Sequence, residues 1–264
     1  MSETDIPVQK VLDRDSFHKE FSTEAYLKDF YIKVDDSAMQ MVLTFLPNIV
    51  ARIGKVKRVL DFGAGPTIHV AASFRQQADE IYLADYLPQN RQELERWYEG
   101  TSNFDWSQPL RMILTQEGNS WNDLDEMIKI TRQKVCGIFH CDCLLSPSVA
   151  ISEELQGTFD VGAKILTLVT IFCVEYCCKT YDEYKKAIRN IAEQIRDGGF
   201  FVMGGILEET RCSFGGRVFS CLYITKDEML GALEEAGLHM ESDRKCMMYD
   251  IDGMFMICAR KRLF

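Results

Sequence analysis

The sequence predicts an α/β domain built on a mostly parallel sheet, and three observations support this fold class. Apolar, strand-like runs alternate with helix-like segments along the 264 residues, which is the pattern of a parallel sheet with crossover helices. The run 58–62 leads directly into a glycine-rich turn at 63–67 and then a helix, and a second strand-like run follows at 80–84. A chain of this length commonly folds as one unit, so we expect a single domain over residues 1–264.

Composition narrows the class of protein further. The chain is 47% hydrophobic and 27% charged, as in an ordinary folded protein. Its net charge of -10 repels phosphate backbones and anionic lipids, so we expect neither nucleic acid nor a membrane as partner. The most apolar stretch, 161–178, is interrupted by Lys164 and Glu175 and is too short to span a bilayer. Ten cysteines in a long chain without a signal-like start favour the reducing cytoplasm.

The elements follow from apolar periodicity, caps and breakers. We expect residues 1–54 to be helical, with caps at Ser22-Thr23-Glu24 and Asp36-Ser37 and a kink at Pro47. Residues 100–108 are typical of a loop. The later predicted helices span 88–98, 122–134, 181–195 and 226–236. The predicted strands span 58–62, 80–84, 135–139, 162–168, 200–203 and 255–259, the last being the second of two β-like segments after Gly237.

The turn Gly63-Ala64-Gly65 is typical of a nucleotide site. Glycines let backbone amides approach a ligand closely, and the helix that follows favours a negative group at its N-terminus. Asp85 ends the next strand about 20 residues downstream, where a carboxylate can accept hydrogen bonds from both ribose hydroxyls. The structural alternative is a tight turn that only packs a helix on a strand. The placement of Asp85 favours the ligand site.

The spacing of the glycines indicates which nucleotide is bound. A dinucleotide site needs a third glycine where this chain has Ile68, so adenosine without a pyrophosphate is the better interpretation. Asp142 follows the third strand and could accept a hydrogen bond from an adenine amino group at the carboxyl edge of the sheet. Its alternative is an exposed loop acid.

The string Asp61-Phe62-Gly63-Ala64-Gly65-Pro66-Thr67-Ile68 resembles S-adenosylmethionine-dependent methyltransferases of the nicotinamide, phenylethanolamine and indolethylamine N-methyltransferase family. The resemblance spans nearly the whole chain and is nearest overall to the nicotinamide enzyme. Further matching segments are Asp85-Tyr86, Gln89-Asn90, 104–107, 117–119, Arg189-Asn190, 198–200, 235–237 and 259–261. The resemblance implies a class I, Rossmann-like fold with a seven-stranded, mostly parallel sheet, a C-terminal antiparallel hairpin, and residues 1–54 as a helical lid.

The resemblance also implies which residues hold the cofactor. The methionine part would lie over the glycine turn, the ribose at Asp85 and Asn90, and the adenine beside Tyr86. Two tyrosines of the lid would close over the site, and His69 stands where the nicotinamide enzyme has tyrosine. The full implied set is Tyr26, Tyr31, Gly63, Ala64, Gly65, Thr67, His69, Asp85, Tyr86, Asn90, Asp142, Cys143 and Ile171.

The acceptor site departs from the nicotinamide enzyme. Gly205 and Cys221 replace an aspartate and a serine that contact the carboxamide there. Methyl transfer needs positioning more than a nucleophilic residue, but a protonated alkylamine must lose a proton. The segment 205–209 resembles that of the phenylethanolamine enzyme, whose acidic residues help bind a cationic amine, which implies Glu208 or Glu209 as a proton relay. The alternative for these acids and for Asp250 is a solvated surface position. The implied substrate residues are Tyr26, Gly205, Glu208, Glu209, Cys221 and Asp250.

The expected protein is therefore a monomeric, cytoplasmic enzyme that methylates the nitrogen of a small amine or azaheterocycle such as nicotinamide and releases S-adenosylhomocysteine. Alternatives are a catalytically silent S-adenosylmethionine-binding protein and a nicotinamide-dinucleotide dehydrogenase. A metal site at Cys141, Cys143, Cys177 and Cys178 is not expected, because the paired Cys-x-x-Cys spacing of zinc sites is missing.

Overall fold

The protein is described by a computed structural model that covers residues 10–150, 165–240 and 244–262. Single 3₁₀ turns lie at Arg14–Ser16 and Trp121–Asp123. The helices are α1 (Phe17–Glu20), α2 (Thr23–Tyr31), α3 (Ser37–Ile53), α4 (His69–Phe74), α5 (Pro88–Glu99), α6 (Ser107–Gln116), α7 (Leu124–Lys134), α8 (Val174–Cys177), α9 (Tyr181–Glu193) and α10 (Lys226–Glu235). The strands are β1 (Val11–Leu12), β2 (Val56–Phe62), β3 (Ala78–Asp85), β4 (Val135–Cys141), β5 (Val149–Ala150), β6 (Ile165–Ile171), β7 (Ile195–Ile206), β8 (Arg211–Phe214), β9 (Arg217–Ser220), β10 (Leu238–His239), β11 (Met247–Ile251) and β12 (Met254–Lys261).

The main sheet confirms the predicted fold class. Its order is β10-β12-β7-β6-β2-β3-β4-β5, with β11 beside β12. Strands β7, β6, β2, β3 and β4 are parallel, whereas β12 runs antiparallel to β7 and forms a hairpin with β11. Seven of the strands described here have five or more residues, as the resemblance implied, and β5 and β10 add short two-residue pairings.

Both faces of the sheet are covered. In β3 the side chains of Ile81 and Leu83 join the core under α3, α4 and α6, while those of Tyr82 and Ala84 join the core under α9 and α10. Strands buried on both faces are apolar at nearly every position, which is why they appear as continuous runs in the sequence.

The N-terminal helices begin where the caps predicted. The Ser22 side chain accepts a hydrogen bond from the amide of Ala25 at 3.2 Å. The Asp36 side chain accepts from two amides of α3, at 2.9 and 3.0 Å. Helix α3 continues through Pro47 to Ile53, so the proline does not end it.

Several element boundaries differ from the predictions. The predicted loop 100–108 overlaps the start of α6, a helix that the sequence analysis did not predict. Pro109 lies in its first turn, where no backbone partner is lost. Strand β6 extends to Ile171, and residues 162–164 of its predicted range lie outside the described residues. Strand β7 begins at Ile195, where the preceding helix was predicted to end.

A second, three-stranded sheet was not predicted. Its order is β1-β9-β8, so the N-terminal segment pairs with a hairpin that follows β7. Only two residue pairs join β1 to β9. Among the described residues, no helix is both long and apolar enough to cross a membrane.

Candidate functional site

A cavity of about 550 Å³ lies at the carboxyl ends of the central parallel strands. This is the edge at which open α/β sheets bind ligands. The structure brings every predicted cofactor residue to its walls, together with Glu209 from the predicted acceptor set. These residues are Tyr26, Tyr31, Gly63, Ala64, Gly65, Thr67, His69, Asp85, Tyr86, Asn90, Asp142, Cys143 and Ile171.

The glycine turn leaves room for close packing, and its first two amides are already hydrogen-bonded within the protein. The amides of Gly63 and Ala64 both donate to the Ala84 carbonyl, at 2.8 and 2.9 Å. Gly63 has φ +73, and a Cβ on it would lie 2.2 Å from the sulfur of Cys173. A side chain therefore cannot be accommodated, and the expected role of these two amides as ligand donors is not supported by their hydrogen bonds.

Asp85 ties the turn to the next strand. Its Oδ2 accepts from the Gly65 amide at 2.8 Å, and its Oδ1 accepts from the Leu87 amide at 2.9 Å and from Asn90 Nδ2 at 3.1 Å. Burial raises the pKa of the carboxyl, and these hydrogen bonds oppose that shift. Each carboxylate oxygen can accept about two hydrogen bonds, so Oδ2 keeps one lone pair that can face a ligand hydroxyl.

The two tyrosines and His69 form a buried ring cluster. The hydroxyl of Tyr31 lies 3.4 Å from Nδ1 of His69, and their rings stack with centroids 5.6 Å apart. The Tyr26 ring lies 6.1 Å from that of Tyr31. Desolvation lowers the pKa of His69 to about 4 and raises the pKa of both tyrosines. The cluster is therefore neutral at physiological pH and can donate hydrogen bonds.

Two buried polar atoms near this cluster lack a partner within the described residues, namely Oδ2 of Asp61 and Nε2 of His69. Both residues line the cavity. Burial and the neighbouring Asp85 raise the pKa of Asp61. A buried polar group without a hydrogen bond is costly, so both atoms indicate a polar ligand that would satisfy them. The sequence analysis had given Asp61 no separate role, although its place at the end of β2 was a visible signal.

The end of the cavity that holds Tyr86 is more exposed to solvent than the ring cluster. The ring of Tyr86 is 38% exposed and lies between those of His18 and His140, at centroid distances of 5.0 and 5.5 Å. Asp142 accepts from the Leu144 amide at 2.9 Å through one carboxylate oxygen. An adenine ring placed here would meet one aromatic face and one acceptor.

Four predicted acceptor residues do not line the cavity. Glu208 adopts φ +57 and is exposed to solvent. Asp250 pairs with Lys226 at 2.7 Å, with 36% of its side chain exposed. Cys221 is buried behind the wall, and Gly205 is buried within β7. The contacts expected of Glu208 and Asp250 are therefore directed away from the cavity.

Sequence reasoning gave no role to Glu175, a buried acid that adjoins the cavity but, like those four residues, does not line it. It lies in α8, is 2% exposed, and its Oε2 has no hydrogen-bond partner among the described residues. Its Oε1 accepts weakly from the Ile206 amide at 3.4 Å. Desolvation raises its pKa to about 7. Its neighbours Tyr176 and Ile206 line the cavity, so the carboxylate stands directly behind that wall.

Aromatic side chains line the same end of the cavity. The rings of Phe214 and Phe219 stack at 4.6 Å, and Phe17 and Phe21 approach them from the N-terminal segment at 5.6 and 5.1 Å. These residues belong to the second sheet and the segment that pairs with it. The end of the cavity near Glu175 is thus apolar and aromatic, whereas the end near Asp85 is polar.

The cysteines contribute sulfur contacts but no metal cluster. Cys173 and Cys177 lie with their sulfurs 4.0 Å apart. Burial helps raise the pKa of both thiols. In the part of the chain that the structure describes, no three His, Cys, Asp or Glu side chains converge on a point where a metal ion could bind.

Comparisons with known proteins identify relatives along the whole described chain. The model of the NNMT/PNMT/TEMT family matches residues 9–262. A nicotinamide N-methyltransferase from Caenorhabditis elegans is 34% identical over 92% of this chain and 90% of its own length, and one from Homo sapiens is 28% identical over 94% and 96%. The solved structure of magnesium protoporphyrin IX methyltransferase from Synechocystis PCC 6803 with bound SAM aligns at a TM-score of 0.57 over 94% of each chain. At 9% identity, that likeness shows the fold alone.

Proposed function

The chain belongs to the NNMT/PNMT/TEMT family, and on that premise we propose that it transfers a methyl group from S-adenosylmethionine to the nitrogen of a small amine. Membership of this family shows that the chain is an S-adenosylmethionine-dependent N-methyltransferase. The observation that carries the choice of acceptor is Glu175, a buried carboxylate behind the aromatic end of the cavity, one of whose oxygens has no hydrogen-bond partner among the residues that the structure describes.

The residues of the polar end fit the cofactor. When bound, S-adenosylmethionine supplies a methyl group on a positively charged sulfonium sulfur. Asp61 presents an unpartnered carboxylate oxygen suited to the α-ammonium group, and Nε2 of His69 can donate to the α-carboxylate. Asp85 retains an acceptor for a ribose hydroxyl, and Tyr86 offers a ring face to the adenine. Tyr26 and Tyr31 close this end with aromatic surface, which favours a cationic centre.

The aromatic end fits an acceptor that carries a ring and a basic nitrogen. The phenylalanines from the second sheet bury the apolar surface of the acceptor. The carboxylate of Glu175, behind the neighbouring wall, can attract its positive nitrogen. The lone pair of the nitrogen forms the new N–C bond while the C–S bond breaks, which leaves a neutral thioether. A protonated amine must first lose a proton. Glu175, whose pKa is raised to about 7 and which lies behind the wall formed by Tyr176 and Ile206, is the acid placed to receive it through a water.

Nicotinamide is the second candidate acceptor. The Caenorhabditis elegans relative of that name supports it at 34% identity. A pyridine nitrogen carries no proton at neutral pH and needs no base, so Glu175 would have no proton to accept. Gly205 also offers no side chain to a carboxamide. We therefore favour the amine.

The decisive experiment is product profiling by mass spectrometry. The protein would be incubated with S-adenosylmethionine and, separately, with phenylethylamine, tryptamine and nicotinamide. We expect methylated amines to form faster than methylated nicotinamide. Faster methylation of nicotinamide would overturn the choice of acceptor but not the reaction class. Cofactor binding without any product would favour the silent binding protein.

Four finer properties belong to the same proposal. We propose that the enzyme acts as a cytoplasmic monomer of one domain and binds no nucleic acid. Its net charge of -10 supports the last point, and the two core layers on one continuous sheet support the single domain. Sedimentation velocity at micromolar concentration tests the monomer.

A further inference from the structure

The N-terminal segment Val11–Phe21, here named the strap, crosses the mouth of the cavity. Five of its residues face the cavity, namely Arg14, Asp15, Phe17, His18 and Phe21. The strap holds to β9 by two residue pairs, and Leu12 is its one buried residue. A ligand beneath these five residues is partly covered by the strap, so its release depends on how firmly the strap is held. Besides the two backbone pairs, Phe17 and Phe21 pack on Phe219 and Phe214, and Glu20 pairs with Arg217 of β9 at 2.9 Å.

Three ion pairs join the strap to the opposite rim, which consists of Lys179 and Glu183 after the cavity-lining Cys177. Arg14 of the strap donates to both carboxylate oxygens of Glu183 in α9, at 2.9 and 3.1 Å. In the reverse direction, Lys179 of the rim pairs with Asp13 at 2.9 Å and with Asp15. Each side therefore supplies one cation and at least one carboxylate. A forked guanidinium–carboxylate pair also fixes orientation, which a single-point pair does not.

Arg14 makes one more contact that the other strap residues do not share. Its Nη1 donates to the backbone carbonyl of Cys177 at 2.7 Å. Cys177 is the last residue of α8, the helix that carries Glu175. One side chain thus connects the strap to α9 and to the short helix behind the aromatic end of the cavity.

We propose that Arg14 is a positioning residue that latches the strap over the cavity, so that breaking the Arg14–Glu183 pair sets the rate at which S-adenosylhomocysteine leaves. The latch itself depends only on cofactor binding. Its second effect, which rests on the proposed function, is to hold α8 so that Glu175 faces the acceptor.

The exposure of the latch suits a contact that opens repeatedly. The side chains of Arg14 and Glu183 are 26% and 32% exposed, and those of Lys179 and Asp13 are 38% and 43% exposed. Ion pairs this open to solvent are weak individually and are screened by salt. Product release should therefore accelerate with ionic strength in the native protein.

The test measures release of S-adenosylhomocysteine from the preloaded, full-length protein by stopped-flow displacement, with no amine present. We expect Arg14→Met and Glu183→Gln each to accelerate release by about 3- to 10-fold and to flatten its dependence on NaCl. The charge swap Arg14→Glu/Glu183→Arg should restore slower release. The matched control is Lys129→Met, which breaks the surface pair with Glu126 at 3.2 Å in α7, away from the strap.

Release that is unchanged in folded Arg14→Met, or a native release rate that ignores salt, would overturn the latch. Because no acceptor is present, inactivity toward every amine would defeat the proposed acceptor without touching this result. Where an amine is turned over, Arg14→Met should also raise its KM, since α8 loses its hydrogen bond to the strap. A KM equal to that of the native protein would overturn the second effect.

Discussion

The Oε1 atom of Glu175 lies 2.7 Å from the point that a Cβ would occupy on Gly205. The ring of Phe255 crowds the same point from the other side, at 3.0 and 3.1 Å. The missing side chain in β7 therefore creates the space that the carboxylate fills. A carboxylate therefore lies beside β7 at Gly205, but it comes from α8 and not from the strand itself.

The first prediction concerns the volume that the Glu175 carboxylate fills beside Gly205. Gly205→Asp places two carboxylates in one buried volume, where like charges in contact cannot both be ionised. We expect a loss of about 2–4 kcal/mol in the free energy of unfolding at pH 8, since overpacking and charge repulsion act together. Urea unfolding measures it.

The double variant Gly205→Asp/Glu175→Ala should recover most of that loss, because the second change empties the contested volume. Gly204→Ala is the matched control: its added Cβ meets only apolar carbons of Ile171 and Met256, at 3.3 to 3.5 Å. Losses that simply add in the double variant would show that Glu175 and Gly205 do not compete for space.

The second prediction concerns the charge of Glu175. Its pKa is raised from 4.5 to about 7 by desolvation, so the stability linked to this group is fully present below pH 4.5 and is lost as the pH rises to 7. Relative to native protein, Glu175→Gln should gain on the order of 3 kcal/mol between pH 4.5 and pH 8. Urea unfolding at both pH values measures the difference.

The rate of amine methylation should rise with pH over the range in which the stability falls. If Glu175 accepts the amine proton, kcat/KM for an amine rises through an apparent pKa near 7, and Glu175→Gln removes both the rise and at least about 100-fold in rate. Glu95→Gln, which is exposed on α5 and does not line the cavity, is the control. A native pH profile that persists in Glu175→Gln would assign the titration to another group.

The polar end of the cavity, where we propose the cofactor, could be predicted in part from sequence because its determinants are local. Gly63 and Gly65 occupy a strand–turn–helix unit, and Asp85 ends the strand that directly follows, so chain order alone places them at one edge. The aromatic end of the cavity could not be predicted in this way. Its walls come from the strap, α8 and the β8–β9 hairpin, which meet only in the folded chain. Glu175 lies inside an apolar run, and periodicity does not show that its side chain is buried without a partner. Glu208 was assigned by resemblance to the phenylethanolamine enzyme, but in the structure it is exposed to solvent and has a positive φ.

The third prediction tests the ribose contact. Asp85→Asn keeps the size of the side chain but replaces one carboxylate oxygen with a donor, while three N–H groups already point at this side chain. We expect S-adenosylmethionine binding to weaken by about 1–3 kcal/mol, or roughly 5- to 150-fold in Kd, by calorimetry. Asp79→Asn, exposed at the opposite end of β3, is the control. Equal affinities of the native protein and Asp85→Asn would remove this residue from the ribose site.

The fourth prediction concerns His69, whose pKa falls from 6.5 to about 4 through burial. The folded protein therefore resists protonation that the unfolded chain accepts, so stability is fully present above pH 6.5 and is lost as the pH falls through 4. His69→Phe removes this linkage. The native protein should lose on the order of 3 kcal/mol relative to the variant over that range, measured by urea unfolding at pH 7.5 and 4.

The same variant separates stability from ligand binding. At pH 7.5 the imidazole is neutral, so the loss of Nε2 should weaken S-adenosylmethionine about 5- to 20-fold by removing one hydrogen bond to a charged group. His239→Phe is the control, since this residue lies in β10 and does not line the cavity. An acid sensitivity that survives in His69→Phe would mean that another buried group titrates. A native Kd in the variant would leave Nε2 unsatisfied with the cofactor bound, and its partner would then have to come from the acceptor.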